Sequence, residues 1–408
     1  MIIISKKLKI TCSIASTLMF LMHAPLVMQN GFAKESIGEV YEAKLLTVVN
    51  TVEQGQLDHA LALVDSLLSE YPKSRIGSLI KADILSAMAG NLTDFGGGVK
   101  DELALTNFHH ELSVRTSWHG ELGKPKKSTM IPASILDMGK DKYVFVGEAR
   151  TGRFFIFGND NGKPYMVKDY YMTIGTAGYG KQVEGDHKTP IGLYSVTHEI
   201  DGKTLPDLYG SGAFPVDYPN KVDKWRKRTG YGIWLHGTPS DTYSRAPLAS
   251  EGCFVLSNDD YDEVATYMRQ IEKPRVLLLE EVNWLTPEQH QQQRQEYMKV
   301  MQEWVAGWES MDIDRYLSFY DDQNLNFGKI NFDRWAKRKK SINERKQFIQ
   351  LSLGLQSMYI YPGEKDMFAV DFKQSYLSDN YKGISDKTIY WKKSDQGQWK
   401  IIYEGDRA

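Results

Sequence analysis

The sequence predicts a multidomain fold, with a small all-α module at the N-terminus, a mainly-β domain in the middle and an α+β domain at the C-terminus. The first reason is length, because 408 residues exceed one ordinary domain. The second is a change of pattern along the chain. Apolar residues recur at helical spacing up to about residue 115, short β-rich runs follow from about residue 141, and a long helix starts near residue 286. The third is composition, since 41% hydrophobic and 12% aromatic residues are enough for packed cores. A formal net charge of −2 gives no indication of nucleic-acid binding.

Residues 1–33 have the pattern of a Sec signal peptide. Three lysines fall within the first nine residues, a largely apolar segment spans 10–28, and Gly31 and Ala33 provide small residues where signal peptidase reads the chain. The alternative is a retained membrane anchor, but Pro25 interrupts the apolar segment and no membrane-length run follows it. We therefore expect cleavage near Ala33, a periplasmic or secreted protein, and no stable membrane span after cleavage.

Residues 34–120 form the predicted helical module. Two periodic apolar runs are separated by Gly55 and closed by Pro72, in a pattern that resembles a tetratricopeptide-like helix pair. The period does not repeat often enough for an array. We expect a small module that packs on its neighbour or on a second protomer, rather than a dedicated peptide-binding groove. His109 and His110 are adjacent, but no acid or cysteine at ligand spacing supports a metal site.

The predicted mainly-β domain covers residues 140–281. Short β-rich runs alternate with turn residues, and Asn161-Gly162 is a hairpin signal between two of them. A strand from about residue 230 leads directly into His236, and a buried strand at 274–280 closes the domain.

The predicted C-terminal domain covers residues 284–408. Thr286-Pro287-Glu288 is a good helix start, and it is followed by a basic run at 334–340, a helix near 342–353 and four strand-like segments. The basic run is interpreted as a solvated helix face, because the secreted chain is acidic overall. Helices followed by a curved antiparallel sheet make an α+β cone, and this segment resembles the NTF2-like (SnoaL-type) family. Such a domain would shape a pocket for glycan or for a partner, or pair two protomers.

Cys253 is the only thiol left once the signal peptide, which carries Cys12, is removed. In an oxidising compartment a chain with one cysteine cannot form an internal disulfide, so this thiol is either inert in a core or reactive. Its surroundings favour reactivity, because His236 lies upstream in the same short stretch. A thiol with a nearby imidazole is the minimum equipment for covalent acyl transfer.

A combined motif surrounds this pair. His236-Gly237 is followed by Ser250-Glu251-Gly252-Cys253 and preceded by EGDHKTPIGLY at residues 184–194. In this order the motif resembles the L,D-transpeptidase (YkuD) catalytic domain, over residues 140–281. The domain plan is similar to that of the murein L,D-carboxypeptidases of curved and helical bacteria, which carry a C-terminal NTF2-like domain. It also resembles the YafK-type branch.

The resemblance implies roles for the residues that match the motif. Cys253 would be the nucleophile, and His236 would be the general acid/base, oriented by a backbone carbonyl as in the family. The amides of Gly252 and Cys253 would stabilise the oxyanion, with Ser250 and Gly237 in support. We also expect Cys253 to lie on a turn that opens a helix, whose dipole would favour the thiolate.

Arg245, in the loop between the two halves of the motif, is the candidate to hold a substrate carboxylate. It would replace a contact that the family usually makes through Arg or Asn at the position of Val255. This chain departs from the family pattern there and again at Glu251. Lys181 and Arg228 are less favoured alternatives to Arg245.

Thr189 is a second candidate for substrate binding. It is also expected, with its neighbours in the upstream motif, to act as scaffold for the preceding loop, while His187 is expected to be exposed. The scaffold residues are Asp186, Thr189, Pro190 and Gly192.

The substrate that the resemblance implies is the stem tetrapeptide of peptidoglycan, cut before its terminal D-alanine through a Cys253 thioester. Water as acceptor gives L,D-carboxypeptidation and an amine of another stem gives L,D-transpeptidation, and both stay open as routes to cell-wall remodelling. The alternatives are a hydrolase that releases wall-attached protein and a non-catalytic peptidoglycan-binding protein. No metal or organic cofactor is expected, nucleic acid is not a partner, and a homodimer through the flanking domains is left open.

Overall fold

Helices come first in the chain, as the sequence predicts. The computed structural model describes residues 36–91, 95–120 and 123–407, and the predicted signal peptide lies outside them. Side-chain caps mark the helix starts: Ser36 forms a capping box with Glu39, while Ser74 and Asp101 cap later helices. The helices are α1 (Ile37–Glu53), α2 (Leu57–Glu70), α3 (Arg75–Met88), α4 (Glu102–His119) and the short α5 (Lys124–Lys127).

The first three helices bury one apolar face each against the others. Leu45, Val64 and Ile80, from α1, α2 and α3 respectively, have no exposed surface. Phe108 of α4 joins the same buried cluster. The module is therefore held by the amphipathic pattern that predicted it.

The middle of the chain consists mostly of short strands, with two helices among them. The strands are β1 (Ile131–Pro132), β2 (Ile135–Asp137), β3 (Tyr143–Glu148), β4 (Arg153–Asp160), β5 (Lys163–Tyr171), β6 (Ile174–Gly175), β7 (Gly192–Ser195), β8 (Ile200–Asp201), β9 (Gly212–Pro215), β10 (Trp234–His236), β11 (Leu248–Ser250), β12 (Phe254–Val255) and β13 (Arg275–Leu279). The helices are α6 (Lys221–Trp225) and α7 (Asn258–Met268).

Two main sheets form this middle domain. One has the strand order β5-β4-β3-β13-β7, in which only the β3–β13 pair is parallel, and the other has the order β12-β10-β9-β8. Asn161 (φ 53°) and Gly162 (φ 89°) form the turn between β4 and β5, which confirms the predicted hairpin. One buried cluster contains side chains of both sheets, including Phe145, Phe154, Phe214 and Phe254.

The C-terminal domain combines helices with one long sheet. Thr286 caps the first of these helices in a capping box with Gln289, and Pro287 lies in its first turn, as predicted. The elements are β14 (Trp284–Leu285), α8 (Pro287–Glu309), α9 (Ile313–Leu317), α10 (Phe332–Asn343), β15 (Ile349–Ile360), β16 (Met367–Ser378), β17 (Lys382–Lys393) and β18 (Trp399–Asp406). The sheet order is β18-β17-β16-β15-β2, so β2, which precedes the middle domain in the chain, completes it.

The predicted helix near 342–353 is wrong. Helix α10 ends at Asn343, and the chain enters strand β15 at Ile349. The apolar residues Ile349, Leu351 and Leu353 alternate with polar ones, which is a strand period rather than a helical one. The basic run does lie on a solvated helix, because α10 spans it and has no buried residue.

The predicted fold class is confirmed: N-terminal helices, a mainly-β domain and an α+β domain follow one another along the chain. All described residues belong to one compact unit. Within residues 36–91, 95–120 and 123–407, no helix combines the length and the apolar character that a membrane span requires.

Candidate active site

The sheet register brings the segments of the predicted nucleophile and base together. Strands β10 and β12 are parallel neighbours, with His236 opposite Val255 and Leu235 opposite Phe254. Cys253 immediately precedes β12, and its thiol contacts the Gly232 carbonyl, just ahead of β10. His236 ends its strand, as the sequence predicts.

The expectation that Cys253 opens a helix is wrong. The residue precedes the short strand β12, and helix α7 begins only at Asn258, where Ser257 is the cap. A helix dipole acts within about one turn of the helix end, so it does not reach the thiol. The surroundings of the sulfur must be judged from its actual neighbours instead.

The imidazole of His236 is buried and neutral. Its Nδ1 donates to the carbonyl oxygen of Gly237 at 2.7 Å, which leaves Nε2 free to accept a proton. The pKa of His236 is lowered to about 4. Burial is the main cause and the positive charge of Arg245 a smaller one, while the hydrogen bond to the Gly237 carbonyl acts in the opposite direction. At neutral pH the ring is therefore a base and not a cation. The family's use of a backbone carbonyl to orient this ring is matched here.

The thiol of Cys253 is partly buried and protonated at rest. Its Sγ donates to the Gly232 carbonyl at 3.4 Å. Burial raises the pKa of Cys253 to about 11, although the Trp234 amide and the Arg245 charge lower it. Among the described residues no hydrogen bond joins Cys253 directly to His236, so their contact during catalysis stays a prediction.

Tyr209 is a neighbour of both groups that the sequence did not indicate. Its ring lies 5.0 Å from the His236 ring and 4.9 Å from that of Trp234. Burial raises the pKa of Tyr209, and the nearby charges of Cys253 and Glu251 raise it further. No sequence motif marks Tyr209, because it comes from a separate turn of the chain.

The turn before the thiol is held by Ser250. Its hydroxyl donates to the Cys253 carbonyl at 2.6 Å and accepts from the Gly252 amide at 3.2 Å. Gly252 has φ 122°, and a Cβ at this position would lie 2.8 Å from the Lys188 carbonyl, so only glycine fits without strain. Since the Gly252 amide is engaged by Ser250, the Cys253 amide is the better candidate for the oxyanion donor, with Gly252 in a supporting role.

Thr189 is occupied by the scaffold. Its side chain is buried, and its hydroxyl accepts from the Gly175 amide at 3.0 Å and donates to the Cys253 carbonyl at 3.4 Å. This arrangement supports the turn of the nucleophile and leaves no hydroxyl group for a substrate. The substrate-binding role predicted for Thr189 therefore loses its basis, whereas the scaffold role fits the contacts.

Asp186 organises the upstream loop. Burial opposes its ionisation, but hydrogen bonds from Lys181 and from the amides of Gln182, Val183 and Lys188 outweigh it and lower the pKa of Asp186 to about 2. The adjacent His187 is exposed, as expected.

Of the three predicted cations, Arg245 alone has no acidic partner within the part of the chain that the structure describes. Lys181 pairs with Asp186 at 2.7 Å, and Arg228 pairs with Asp223 at 3.0 Å and with a glutamate of the C-terminal domain. The guanidinium of Arg245 is half-buried and donates to the Ala249 carbonyl. Burial lowers the pKa of Arg245. A substrate carboxylate would find an unpaired cation here.

The two departures from the family pattern differ in their surroundings. Val255 is buried, and its amide and carbonyl both bond to the backbone of Thr173, so no polar contact to a substrate arises there. Glu251 is exposed, and its charge raises the pKa of the Cys253 thiol.

Gly237 is needed for the close approach of Asn258. A Cβ at Gly237 would lie 2.2 Å from Asn258 Oδ1. That oxygen accepts from the amides of Ser211 and Thr238, so the first residue of α7 fixes the backbone that follows His236. Asn258 is a second residue that the sequence did not single out.

A separate cleft lies in the C-terminal domain. It encloses about 730 Å³ and shares no lining residue with the site around Cys253. Its lining is basic and aromatic, and includes Trp308, Tyr316, Arg338, Lys339, Lys346 and Tyr376. Whether this domain binds glycan or a partner, or pairs two protomers, stays open as in the sequence analysis. Among the described residues no group of three or more His, Cys, Asp or Glu side chains could hold a metal ion.

Two family profiles match the chain. The L,D-transpeptidase catalytic domain (YkuD) matches residues 141–277, and the Cds6 C-terminal NTF2-like domain matches residues 296–405. Both families named from the sequence motifs are thereby confirmed. Among curated proteins, none matches the chain significantly.

Solved structures give a likeness over most of the chain. Bd1075 of Bdellovibrio bacteriovorus is 29% identical with a TM-score of 0.59, over 68% of this chain and 98% of that one. The helical cell shape determining protein Pgp2 of Campylobacter jejuni is 26% identical with a TM-score of 0.53, over 71% of this chain and 98% of that one. The likeness therefore extends beyond the catalytic domain in both cases.

Proposed function

We propose that this chain, which carries an L,D-transpeptidase (YkuD) catalytic domain and a C-terminal NTF2-like domain, is a periplasmic cysteine acyl-transfer enzyme that acts on stem tetrapeptides of peptidoglycan. One observation carries the proposal. A neutral, oriented His236 ends β10, and the Cys253 thiol, immediately before the parallel strand β12, contacts the Gly232 carbonyl just ahead of β10. Arg245, which has no acidic partner among the described residues, is held on the Ala249 carbonyl, next to the turn that carries the thiol. This arrangement supplies a nucleophile, a base and a group that recognises a carboxylate.

In the first half of the reaction Nε2 of His236 accepts the thiol proton, and the thiolate of Cys253 attacks the carbonyl carbon before the terminal D-alanine. The negative charge on the carbonyl oxygen is stabilised by the backbone amide of Cys253. Collapse of this intermediate breaks the peptide bond, and His236 returns the proton to the departing amine of D-alanine. A thioester between Cys253 and the shortened stem remains.

In the second half an acceptor attacks the thioester, and His236 removes its proton. Water gives a tripeptide stem and completes L,D-carboxypeptidation, whereas an amine of another stem gives a cross-link. The domain plan, with its NTF2-like domain, favours the carboxypeptidase outcome, and the family name favours the cross-link. The structural likeness to a helical cell shape determining protein supports a role in cell-wall remodelling under either outcome.

Arg245 holds the carboxylate of the terminal D-alanine in this proposal. A guanidinium pairs with a carboxylate through charge-assisted hydrogen bonds, which are stronger when both groups are partly shielded from water. The partial burial of Arg245 and its lack of an acidic partner among the described residues support this role.

Incubation of the purified protein with muropeptide tetrapeptides tests the proposal. Tripeptide products mean carboxypeptidation, and dimers mean transpeptidation. The matched control is Cys253→Ala, which should give neither product. Release of wall-attached protein from isolated sacculi, without either muropeptide change, would favour the alternative hydrolase. Activity or phenotype unchanged in Cys253→Ala would favour a non-catalytic wall-binding protein.

A further inference from the structure

The loop between the two halves of the catalytic motif, residues 237–249, is held by the N-terminal helices. The Tyr243 amide donates to the Lys73 carbonyl at 3.1 Å. The Tyr243 ring lies 4.1 Å from the ring of Tyr41 and 5.1 Å from that of Tyr71. Aromatic contacts of this kind add to the apolar area that they bury, so the loop is anchored on the helical module.

A buried ion cluster holds the next residue of the loop. Arg115 of α4 is 2% exposed and donates to the Ser244 hydroxyl at 3.0 Å, to Glu42 at 2.8 Å and to Glu111 at 2.9 Å. The Ser244 hydroxyl donates in turn to Glu111 at 3.1 Å. Glu42 also accepts from Arg153 of β4 at 2.8 Å. The cluster therefore joins two helices, a strand and the loop. Its groups are buried, so water cannot readily replace a partner that is lost.

The same cluster reaches the backbone of Arg245. The Arg115 guanidinium lies 3.7 Å from the centre of the Tyr171 ring, and the Tyr171 hydroxyl donates to the Arg245 carbonyl at 2.9 Å. The Thr173 hydroxyl donates to the same carbonyl at 3.1 Å. The side chain of Arg245 is directed to the Ala249 carbonyl, which borders the turn that carries the thiol. The backbone of Arg245, the residue proposed to bind the substrate, is therefore held by Tyr171, which in turn contacts Arg115 of the N-terminal module.

We propose that the N-terminal helical module is a positioning element of the active site, in which Arg115 and Tyr243 hold the loop so that the Arg245 guanidinium stays on the Ala249 carbonyl, next to the turn that carries the Cys253 thiol. A long side chain on an irregular loop would otherwise sample many rotamers, and ordering it on binding would weaken affinity. The module thereby sets the preference for substrates that end in a free carboxylate. The identity of the substrate rests on the proposed function, whereas the positioning of Arg245 beside the thiol does not.

Two variants separate the loop from the module with little change elsewhere. Tyr243→Ala removes the aromatic anchor, and Ser244→Ala removes a single hydroxyl while Arg115 keeps both of its glutamate partners. Ser244→Ala keeps the test available if Tyr243→Ala does not fold. Arg269→Gln is the control, because Arg269 is an exposed cation whose partner Glu199, at 2.5 Å, lies outside this network.

The first measurement is the pH dependence of alkylation of Cys253 by iodoacetamide in the whole protein. A cation beside the sulfur favours the thiolate, so loss of its positioning slows alkylation at a given pH. A shift of half a unit in the thiol pKa corresponds to about a threefold lower rate. Arg245→Gln should give the full effect. In that background Tyr243→Ala and Ser244→Ala should cause no further change, because they act through Arg245.

The second measurement compares a stem tetrapeptide that ends in a carboxylate with its carboxamide analogue. The loop variants should raise KM for the carboxylate form and leave the carboxamide form nearly unchanged, which lowers the ratio of the two kcat/KM values. A loss of stability alone would reduce both forms equally. Arg269→Gln should match the unmodified protein in both measurements.

Folded loop variants with an unchanged alkylation profile would overturn the inference. So would an effect that persists in full in the Arg245→Gln background. If the unmodified protein cleaves no muropeptide, the proposed function fails, but the alkylation measurement still decides whether the module positions Arg245.

Discussion

His236 pairs in register with Val255 on the neighbouring parallel strand, and Cys253 stands two residues before Val255, immediately ahead of that strand. Sixteen residues separate the imidazole and the thiol in sequence, yet His236 ends β10 and the thiol contacts the Gly232 carbonyl just before β10. The imidazole is oriented from Nδ1 by the Gly237 carbonyl, and both groups are neutral at rest. A neutral pair of this kind acts by general-base catalysis and not as a preformed ion pair.

The first prediction concerns the two reacting side chains. Cys253→Ala should abolish formation of both tripeptides and dimers, because Cys253 is the only thiol among the described residues. His236→Gln should lower kcat by about a hundredfold or more, the range expected for loss of a general acid/base. The measurement is muropeptide analysis by liquid chromatography, with circular dichroism to check folding. Products at the normal rate from either variant would contradict the assigned roles.

The second prediction concerns the pH dependence of the thiol. Burial raises the pKa of Cys253 to about 11 and lowers that of His236 to about 4. In the free enzyme the thiolate fraction should therefore increase about tenfold per pH unit between pH 7 and pH 9, and the rate of alkylation by iodoacetamide should follow it. A rate that is already constant below pH 7 would mean that a thiolate–imidazolium pair exists at rest.

Much of the fold could be predicted because its signals are local. The capping residue Thr286, the Asn161-Gly162 turn and the helical spacing of the first segment each depend on a few consecutive residues. The helix expected at 342–353 is absent because apolar and polar residues alternate from Ile349, a strand period, and this segment forms β15. The addition of β2 to the C-terminal sheet joins segments that are far apart in the chain, and no local pattern indicates it.

The site divides in the same way. His236 and Cys253 could be predicted as site residues because the spacing of the motif indicates them, but their neighbours depend on long-range packing. Tyr209 comes from a different turn, and the engagement of Thr189 by two backbone groups cannot be seen in the sequence. The expected helix dipole at Cys253 failed because β12 intervenes between the thiol and α7.

The third prediction concerns the turn before the nucleophile. Gly252→Ala should destabilise the protein by about 1–3 kcal/mol, because alanine is strained at φ 122° and its Cβ would lie 2.8 Å from the Lys188 carbonyl. It should also reduce activity by displacing the Cys253 amide. Gly178→Ala is a matched control. Gly178 also has a positive φ, of 81°, but nothing lies within 4 Å of its Cβ position, so only the backbone strain remains. Thermal or denaturant unfolding of the two variants, combined with activity, tests this. Equal losses of stability and activity in the two variants would show that the close approach of the Lys188 carbonyl to Gly252 has no effect.

The fourth prediction concerns recognition of the substrate carboxylate. Arg245→Gln should raise KM for a stem tetrapeptide by about tenfold to a hundredfold, as expected for loss of a charge-assisted pair of about 1.5–3 kcal/mol. A carboxamide-terminated analogue should be affected much less, because it carries no negative charge. Steady-state kinetics on the two peptides provides the measurement. An equal effect on both would place the role of Arg245 in the structure of the loop and not in recognition.

The fifth prediction concerns Asp260, a buried residue of α7 that lies against α1 of the helical module. Its carboxyl is fully buried, one of its oxygens has no hydrogen-bond partner in the described structure, and a Cβ on Gly38 would lie 2.1 Å from it. Burial raises the pKa of Asp260 to about 7, and Glu42 adds to the effect against Ser257 and the more distant arginines.

Because the pKa of Asp260 is higher in the folded protein than in the unfolded one, the folded protein holds this proton more tightly. Ionisation of Asp260 therefore does not change the free energy of unfolding below about pH 4. It lowers that free energy progressively between about pH 4 and pH 7, and by a constant amount on the order of 4 kcal/mol at higher pH.

Asp260→Asn, which is similar in shape and cannot ionise, should raise the free energy of unfolding at pH 8 relative to the unmodified protein, and the gain should disappear near pH 4. Asp259→Asn, at the adjacent and less buried carboxyl, serves as the control and should show a much smaller gain. Denaturant unfolding at pH 4, 6 and 8 measures these differences, and a gain for Asp260→Asn that does not depend on pH would contradict a protonated carboxyl at this junction.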